Sequence, residues 1–258
     1  MRRRPFLIAL VAALAVAIAA TAASAGPTVS GPNGNTQSID SQIRPKKLSK
    51  TKFTPGSLKV TTLTTSTTDP NGFPVPASHA TIDFDRNARI YTKGLPTCEP
   101  GKLQNQSTEN AERICGRAKI GSGTAVAYLR PGKFYEVPQT VTAFNGVPKG
   151  GKPMVILHTY GTTPLQVSLV LEGTVSNYGR EGYGPRLDLN IPKIAGGTGA
   201  LKEFQVTIDK KWRFKGVKRS FVAAKCPNSM SLKARGVFTY FDGESLTALS
   251  KQSCTQAP

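Results

Sequence analysis

Apolar and polar residues alternate with a period of two along most of the chain beyond residue 53. In the run 80–85, for example, Ile82 and Phe84 are separated by polar residues, which is the pattern of a half-buried β-strand. Turn residues such as Asp242-Gly243 separate runs of this kind and predict hairpins. The predicted strands cover 58–68, 80–85, 88–92, 124–129, 140–144, 154–160, 166–175, 186–191, 203–208, 211–221, 232–241 and 245–249.

Many short strands at this spacing predict an all-β fold, an antiparallel β-sandwich of immunoglobulin-like or jelly-roll-like type over residues 53–258. The 25 glycines and 19 prolines of the chain disfavour long helices. One short helix is predicted in the insert between Cys98 and Cys115, capped by Ser107 or Thr108 and stopped by Gly116.

The first 25 residues have the three parts of a secretory signal peptide. Arginines occupy positions 2–4, an apolar run follows, and Ala23 and Ala25 give an A-x-A pattern that predicts cleavage before Gly26. The apolar run is shorter than the roughly 20 residues that span a bilayer, so no membrane span is expected after cleavage. General secretion is favoured over the twin-arginine route because the stretch is strongly hydrophobic.

Residues 26–52 have few large apolar side chains and no periodicity, and we predict a disordered basic linker. Removing the three leader arginines from 34 basic residues leaves 31 against 15 acidic residues, a net charge of +16. Such a charge attracts anionic polymers. The linker ends in a basic cluster that is either a solvated tail or a tether to an anionic cell-wall polymer; its lysines are Lys46, Lys47, Lys50 and Lys52.

A second basic run lies in 211–221. Read as one strand, it places Lys211, Arg213 and Lys215 on one face and Trp212 and Phe214 on the other. The pattern favours buried rings beneath a solvated basic stripe, with an anion-binding face as the alternative. Nucleic acid is not the expected partner, because the protein is predicted to work outside the cell.

Four cysteines remain after cleavage, and an even number in an exported chain indicates disulfides. Three connectivities are possible, of which we favour the local pairing Cys98–Cys115 and Cys226–Cys254. Zinc is disfavoured because neither pair has the C-x-x-C spacing or a nearby histidine.

Clustered oxygen ligands at Asp83, Asp85 and Asn87 resemble a calcium-binding pattern. The sixth and twelfth positions of an EF-hand loop would be Ala88 and Gly94 here, instead of the required Gly and Glu. An outward acidic strand edge is therefore favoured over a metal site, and no cofactor is predicted.

Catalytic patterns are sparse. Alternation places Met154, Ile156 and His158 on one face of a strand, where His158 is predicted to be a core histidine with one hydrogen bond. A serine hydrolase is disfavoured because the chain lacks G-x-S-x-G. A glycoside hydrolase would need two carboxylates flanking a cleft; the candidates are Asp83, Glu172, Asp188 and Glu203.

Several segments together resemble a family of uncharacterised exported proteins of actinobacterial-type bacteria. They are 52–55, 94–98, 141–146, 151–153, 157–158 and 238–243, with the sequences KFTP, GLPTC, VTAFNG, GKP, LH and FTYFDG. The resemblance spans most of residues 46–254. It implies export, a β-rich fold and the local cysteine pairing, and it brings no activity.

These observations favour an exported, non-enzymatic protein with a structural or binding role at the cell surface or outside the cell, in contact with anionic polymers. The alternatives are an extracellular polysaccharide hydrolase or lyase and a carbohydrate-binding module, for which Trp212 is the best aromatic candidate. The sequence leaves the oligomeric state open.

Overall fold

The alternating runs of the sequence form β-strands in the structure, a computed structural model that describes residues 26–257. The predicted signal peptide, with Ala23 and Ala25 of its cleavage site, lies outside these residues. The α-helix α1 (Thr108–Cys115) follows the predicted cap, because the Ser107 hydroxyl accepts a hydrogen bond from the Asn110 N–H. Among the described residues, no helix is both long enough and apolar enough to cross a membrane.

The strands are β1 (Val29–Ser30), β2 (Asn35–Arg44), β3 (Lys47–Ser49), β4 (Thr54–Ser66), β5 (Ala77–Asp85), β6 (Ala88–Ile90), β7 (Lys119–Leu129), β8 (Tyr135–Lys149), β9 (Lys152–Gly161), β10 (Val167–Asn177), β11 (Tyr183–Asn190), β12 (Gly199–Ile208), β13 (Lys211–Phe214), β14 (Val217–Ser220), β15 (Val222–Ala224), β16 (Ser231–Tyr240), β17 (Ser245–Ser253) and β18 (Thr255–Ala257). Single 3₁₀ turns lie at Pro100–Leu103, Gly116–Ala118 and Ala195–Gly197.

Most strands belong to one continuous antiparallel sheet. Its order is β1-β2-β4-β12-β7-β8-β9-β10-β11-β5-β16-β17, and β15 joins the start of β4 to β6 at one end. Two small pairs stand apart from it, the antiparallel β13–β14 and the parallel β3–β18.

The sheet rolls up until β17, at one edge, meets β2, which β1 covers only at Thr36 and Gln37. The side-chain amide of Gln252 donates to the Ile43 carbonyl at 2.7 Å and accepts from the Ile43 N–H. The Ser41 N–H donates to the Ser250 hydroxyl at 3.0 Å. Side chains thus replace a backbone ladder along this seam, and the sheet is nearly closed instead of dividing into the two stacked layers of the predicted sandwich.

Residues 26–52, predicted to be a disordered linker, are ordered in the structure and contain β1, β2 and β3. In β2, Ile39 is fully buried and packs into the core, and the buried Gln37 donates to the Leu63 carbonyl at 3.2 Å. The prediction failed because β2 has few apolar residues. Its buried polar side chains are satisfied by neighbouring strands that the local sequence does not reveal.

Inward-facing side chains form the main core, and Ile82 and Phe84 point inward as predicted. The interior is not completely filled. An apolar cavity of about 110 Å³ lies among the inner faces of the strands. Left empty, a cavity of this size costs roughly 2–3 kcal/mol at about 24 cal/mol per Å³.

A second apolar cluster lies on the outer face of β8, β9 and β10, beneath the insert that contains α1. Phe144 and Ile156 are fully buried there against Leu103 and Ala111 of the insert. Both disulfides have the predicted local pairing, and the Cys98–Cys115 bond closes this insert. The insert therefore covers apolar side chains that would otherwise face solvent.

Candidate functional site

Both basic segments noted in the sequence lie at one end of the rolled sheet, where β2 ends at Arg44 and β4 begins at Thr54. We call this the cationic end. β3 is held there by parallel pairing with β18 and by the Cys226 N–H, which donates to the Ser49 carbonyl at 3.0 Å. The candidate anion-binding lysines of this segment are all exposed: Lys46, Lys47, Lys50 and Lys52.

The second basic segment forms the β13–β14 hairpin and not the single predicted strand. The chain reverses at Lys215 and Gly216, whose φ angles of 49° and 77° are those of a tight hairpin turn. Lys211 and Arg213 are exposed on β13. Lys215 is also exposed, but it lies in the turn and not on their strand face.

The two rings of the hairpin hold it against the rest of the molecule. Trp212 packs against the main core, and its Nε1–H donates to the Lys93 carbonyl at 3.3 Å. The ring of Phe214 lies so close to Gly94 that a Cβ there would fall 2.1 Å from it. The rings are half-buried, so the basic side chains between them face solvent.

Contacts through β6 and β15 connect the two basic segments. The Arg89 guanidinium and the Lys225 ammonium lie 4.1 and 4.8 Å from the centre of the Phe53 ring. Phe53 directly follows Lys52, the last residue of the first lysine cluster. On the hairpin side, the Ser220 hydroxyl donates to the Gly56 carbonyl of β4. Both segments are therefore fixed to the same strands.

Within residues 26–257, the cations of this end lie apart from the acidic side chains. None of the seven candidate anion-binding side chains has an Asp or Glu oxygen within 4.0 Å among these residues, and the same holds for Arg89, Lys218 and Arg219. At the opposite end, by contrast, Arg130 lies 2.8 Å from Asp69. Within the part of the chain that the structure describes, the cations named here have no carboxylate partner, and their positive charges lie on one surface.

Asp83, the first of the three weak candidates for a metal ligand, is the centre of an ion-pair cluster. It is fully buried between Arg186 of β11 and Arg235 of β16, with N–O distances of 2.6 and 2.9 Å. Burial alone would raise the pKa of Asp83, but the hydrogen bonds from both guanidiniums hold its pKa below the ordinary value. Its oxygens are engaged by cations, so it is not placed to bind a metal ion.

The other two weak candidates, Asp85 and Asn87, bond to each other, because the Asn87 side-chain amide donates to Asp85 Oδ1 at 2.8 Å. One Asp85 oxygen accepts from the Asn87 N–H at 2.8 Å, and the other accepts from the Lys233 N–H at 3.1 Å. Across residues 26–257, no group of three His, Cys, Asp or Glu side chains is arranged to hold a metal. The weak calcium pattern is thus a turn that follows a buried strand.

The two histidines are in contrasting environments. His158 is fully buried on the outer face of β9 with Met154 and Ile156, as predicted, and its Nε2 lies 3.0 Å from the Gln106 carbonyl. Burial lowers the pKa of His158, and its hydrogen bond to Gln106 only partly opposes this effect. His79 is half-exposed and lies 3.2 Å from Asp188.

The candidate carboxylates of a hydrolase are brought together only in part. Glu172 of β10 and Asp188 of β11 line one open depression of about 440 Å³ on the outer face. Lys149 lies 3.6 Å from Glu172, and His79 pairs with Asp188. Asp83 is enclosed by its arginines, and Glu203 lies on β12, away from the depression.

Sequence reasoning missed the contribution of Arg89 and Lys225 to the cationic end. The signal was weak, because each is a single cation outside the two basic runs and its partner ring, Phe53, is distant in sequence. Arg219, which belongs to the second basic run, lies 5.8 Å from the centre of the Tyr91 ring. Comparison with known proteins adds no further assignment: no family model, curated protein or solved structure matches this chain.

Proposed function

We propose that the protein is an exported, non-enzymatic binding protein that contacts an anionic cell-wall polymer through its cationic end. The observation that supports this most is the meeting of two basic segments, separated by more than 150 residues, on one surface. Among residues 26–257, no acidic side chain forms an ion pair with the seven candidate cations there. A polymer with repeated negative charges interacts with such a surface along its whole length.

Export is supported by the leader sequence and by the two disulfides. Disulfides persist in oxidising environments such as the outside of the cell, and both bonds of this protein are formed. The Cys226–Cys254 bond lies beside β3 and β18, so it also fixes the first lysine cluster. The Cys226–Cys254 disulfide thus supports both the proposed export and the proposed binding surface.

Binding to isolated anionic wall polymer tests this function. At low ionic strength the protein should bind, and affinity should fall steeply as salt rises, because the Debye length shortens from about 10 Å at 0.1 M to about 3 Å at 1 M. The double variants Lys50→Glu/Lys52→Glu and Lys211→Glu/Arg213→Glu should each weaken binding at least tenfold. A neutral polysaccharide should not bind.

The matched control is Lys133→Glu/Lys193→Glu, which makes the same change in net charge with two exposed lysines of the opposite end. Its affinity should stay close to that of the wild type. Equal losses in all three double variants would show that only net charge matters, and binding that is insensitive to salt would contradict the proposal.

A polysaccharide hydrolase is the second candidate, favoured by the depression that Glu172 and Asp188 line together. Two carboxyl groups facing one cleft are the minimum for glycoside hydrolysis. Release of reducing ends from wall polysaccharide should then be lost in Glu172→Gln and in Asp188→Asn but kept in Glu203→Gln. No release by the wild type would remove this candidate.

A carbohydrate-binding module has less support. Such modules present exposed aromatic rings as a flat platform, whereas Trp212 is half-buried against the core and its Nε1–H is engaged by Lys93. The cations beside it favour an anionic ligand over a neutral sugar.

A further inference from the structure

The cavity inside the rolled sheet is the feature that the polymer-binding role does not use. It lies between strands from both halves of the sheet and measures about 110 Å³. Its wall consists of Leu58, Val60, Thr62, Ala80, Ile82, Phe84, Ile90, Val155, Leu157, Leu171, Val175, Leu187, Leu189, Ile191, Leu201, Phe204, Val206, Ile208, Phe221, Val222 and Phe238.

The lining of the cavity favours apolar ligands over polar ones. Among these lining residues, Thr62 alone has a polar side-chain atom, and no charged residue takes part. A sugar, peptide or nucleotide would lose its hydrogen bonds with water there and gain no replacements, which is strongly unfavourable. Water itself needs two or more polar partners to occupy a cavity, so this space suits apolar matter only.

The size of the cavity sets the size of its occupant. An engineered protein cavity of roughly 150 Å³, lined by Leu, Ile and Phe, stays dry and binds benzene or xenon. The interior of this protein is similar in volume and in lining. Three of its wall residues, Leu187, Ile191 and Leu201, are only partly buried where they pack against the main core.

We infer that the interior of the rolled sheet is a binding site for a small hydrocarbon ligand, or for a hydrocarbon group of up to about the size of a benzene ring. The ligand would replace the packing contacts that the wall lacks, and the protein would gain stability from its binding. The wall shares β6 and β15 with the cationic end through Ile90 and Val222, but no charged residue lines the cavity.

Xenon and benzene are suitable probes. Crystals pressurised with xenon should show a xenon atom inside the wall formed by Val60, Leu157 and Phe204. Saturating benzene should raise the melting temperature of the wild-type protein by a few degrees, since a ligand that binds only the folded state stabilises it. Xenon found only outside the roll would overturn the inference.

A pair of neighbouring substitutions on β5 provides the control. Ala80 lines the cavity, whereas Thr81 is half-buried and points to the other face. Ala80→Ile fills the space, so the benzene-induced shift should fall at least threefold, while Thr81→Ile should keep the full shift. Equal shifts in both would contradict the site. If Ala80→Ile does not fold, Val175→Ile adds a single methyl group to the same wall and should also reduce the shift.

Discussion

The two faces of β9 differ in how well their side chains are packed. Ile156 points outward and is fully buried beneath the disulfide-closed insert, in contact with Phe144 and Leu103. Its neighbour Leu157 points inward and lines the interior cavity. The outer face of a sheet is usually solvated. In this protein, part of the outer face is instead a fully buried apolar cluster beneath the insert.

This difference in packing between the two faces indicates which side chains contribute most to the stability of the fold. The inner face supplies most of the apolar area, but its packing is incomplete because a nearly closed sheet leaves space along its axis. The outer face is completed by an added segment and by ion pairs that satisfy buried charges. Substitutions should therefore cost more on the covered outer face than on the cavity wall.

The largest effect is expected for Ile156→Ala. This change leaves a void among close-packed atoms, which should lower the free energy of unfolding by about 4 kcal/mol, in the upper part of the range for such truncations. Leu157→Ala should cost about 2 kcal/mol, since one side of Leu157 already faces empty space. Denaturant unfolding of both variants measures the difference, and equal losses would contradict the comparison.

The next effect concerns Asp83, which is buried on the outer side of β5 between Arg186 and Arg235. Asp83→Asn removes the charge that both guanidiniums pair with, and we expect a loss of about 3–4 kcal/mol. Asp188→Asn is the control, because its half-exposed contact with His79 should contribute less than about 1 kcal/mol. Similar small losses in both variants would show that the cluster is not structurally important.

Removing the Cys98–Cys115 bond should have a comparable but smaller effect. The two cysteines are 17 residues apart, and the loop-entropy model assigns such a closure about 3 kcal/mol. The double variant Cys98→Ser/Cys115→Ser should also increase hydrogen exchange in the strand segments beneath the insert, around Ile156. Unchanged exchange there would mean that α1 stays in place without its covalent link.

Local patterns were sufficient for several parts of this picture. The inward position of Ile82 and Phe84 follows from alternation, and the grouping of Met154 with Ile156 follows from the same rule. The cap at Ser107 could also be read from the sequence. Each of these depends on residues a few positions apart, so the backbone geometry of one element decides the outcome.

The remaining features depend on contacts between distant segments. Apolar and polar residues alternate in the same way in a two-layered sandwich and in a rolled sheet. The contact between β2 and β17, where Gln252 bonds to Ile43, therefore could not be predicted from this pattern. The same holds for Asp83, whose two arginines lie more than 100 residues away. The ordered structure of residues 26–52 was not predicted, because β2 buries polar side chains such as Gln37, which the local composition would place in solvent.

The smallest effect concerns the pH dependence of stability, through His158 on the covered outer face. Because burial lowers the pKa of His158, the unfolded chain takes up a proton near pH 6.5, whereas the folded protein takes it up only at a lower pH. Stability should therefore decrease as the pH falls from 7 to 5, by at most about 1.4 kcal/mol per pH unit from this residue. His158→Gln should flatten this slope, whatever its effect on stability at pH 7, because Gln does not titrate. If urea unfolding at pH 5, 6 and 7 gives the same slope for the variant and the wild type, His158 takes up its proton equally in the folded and the unfolded protein, which would contradict this prediction.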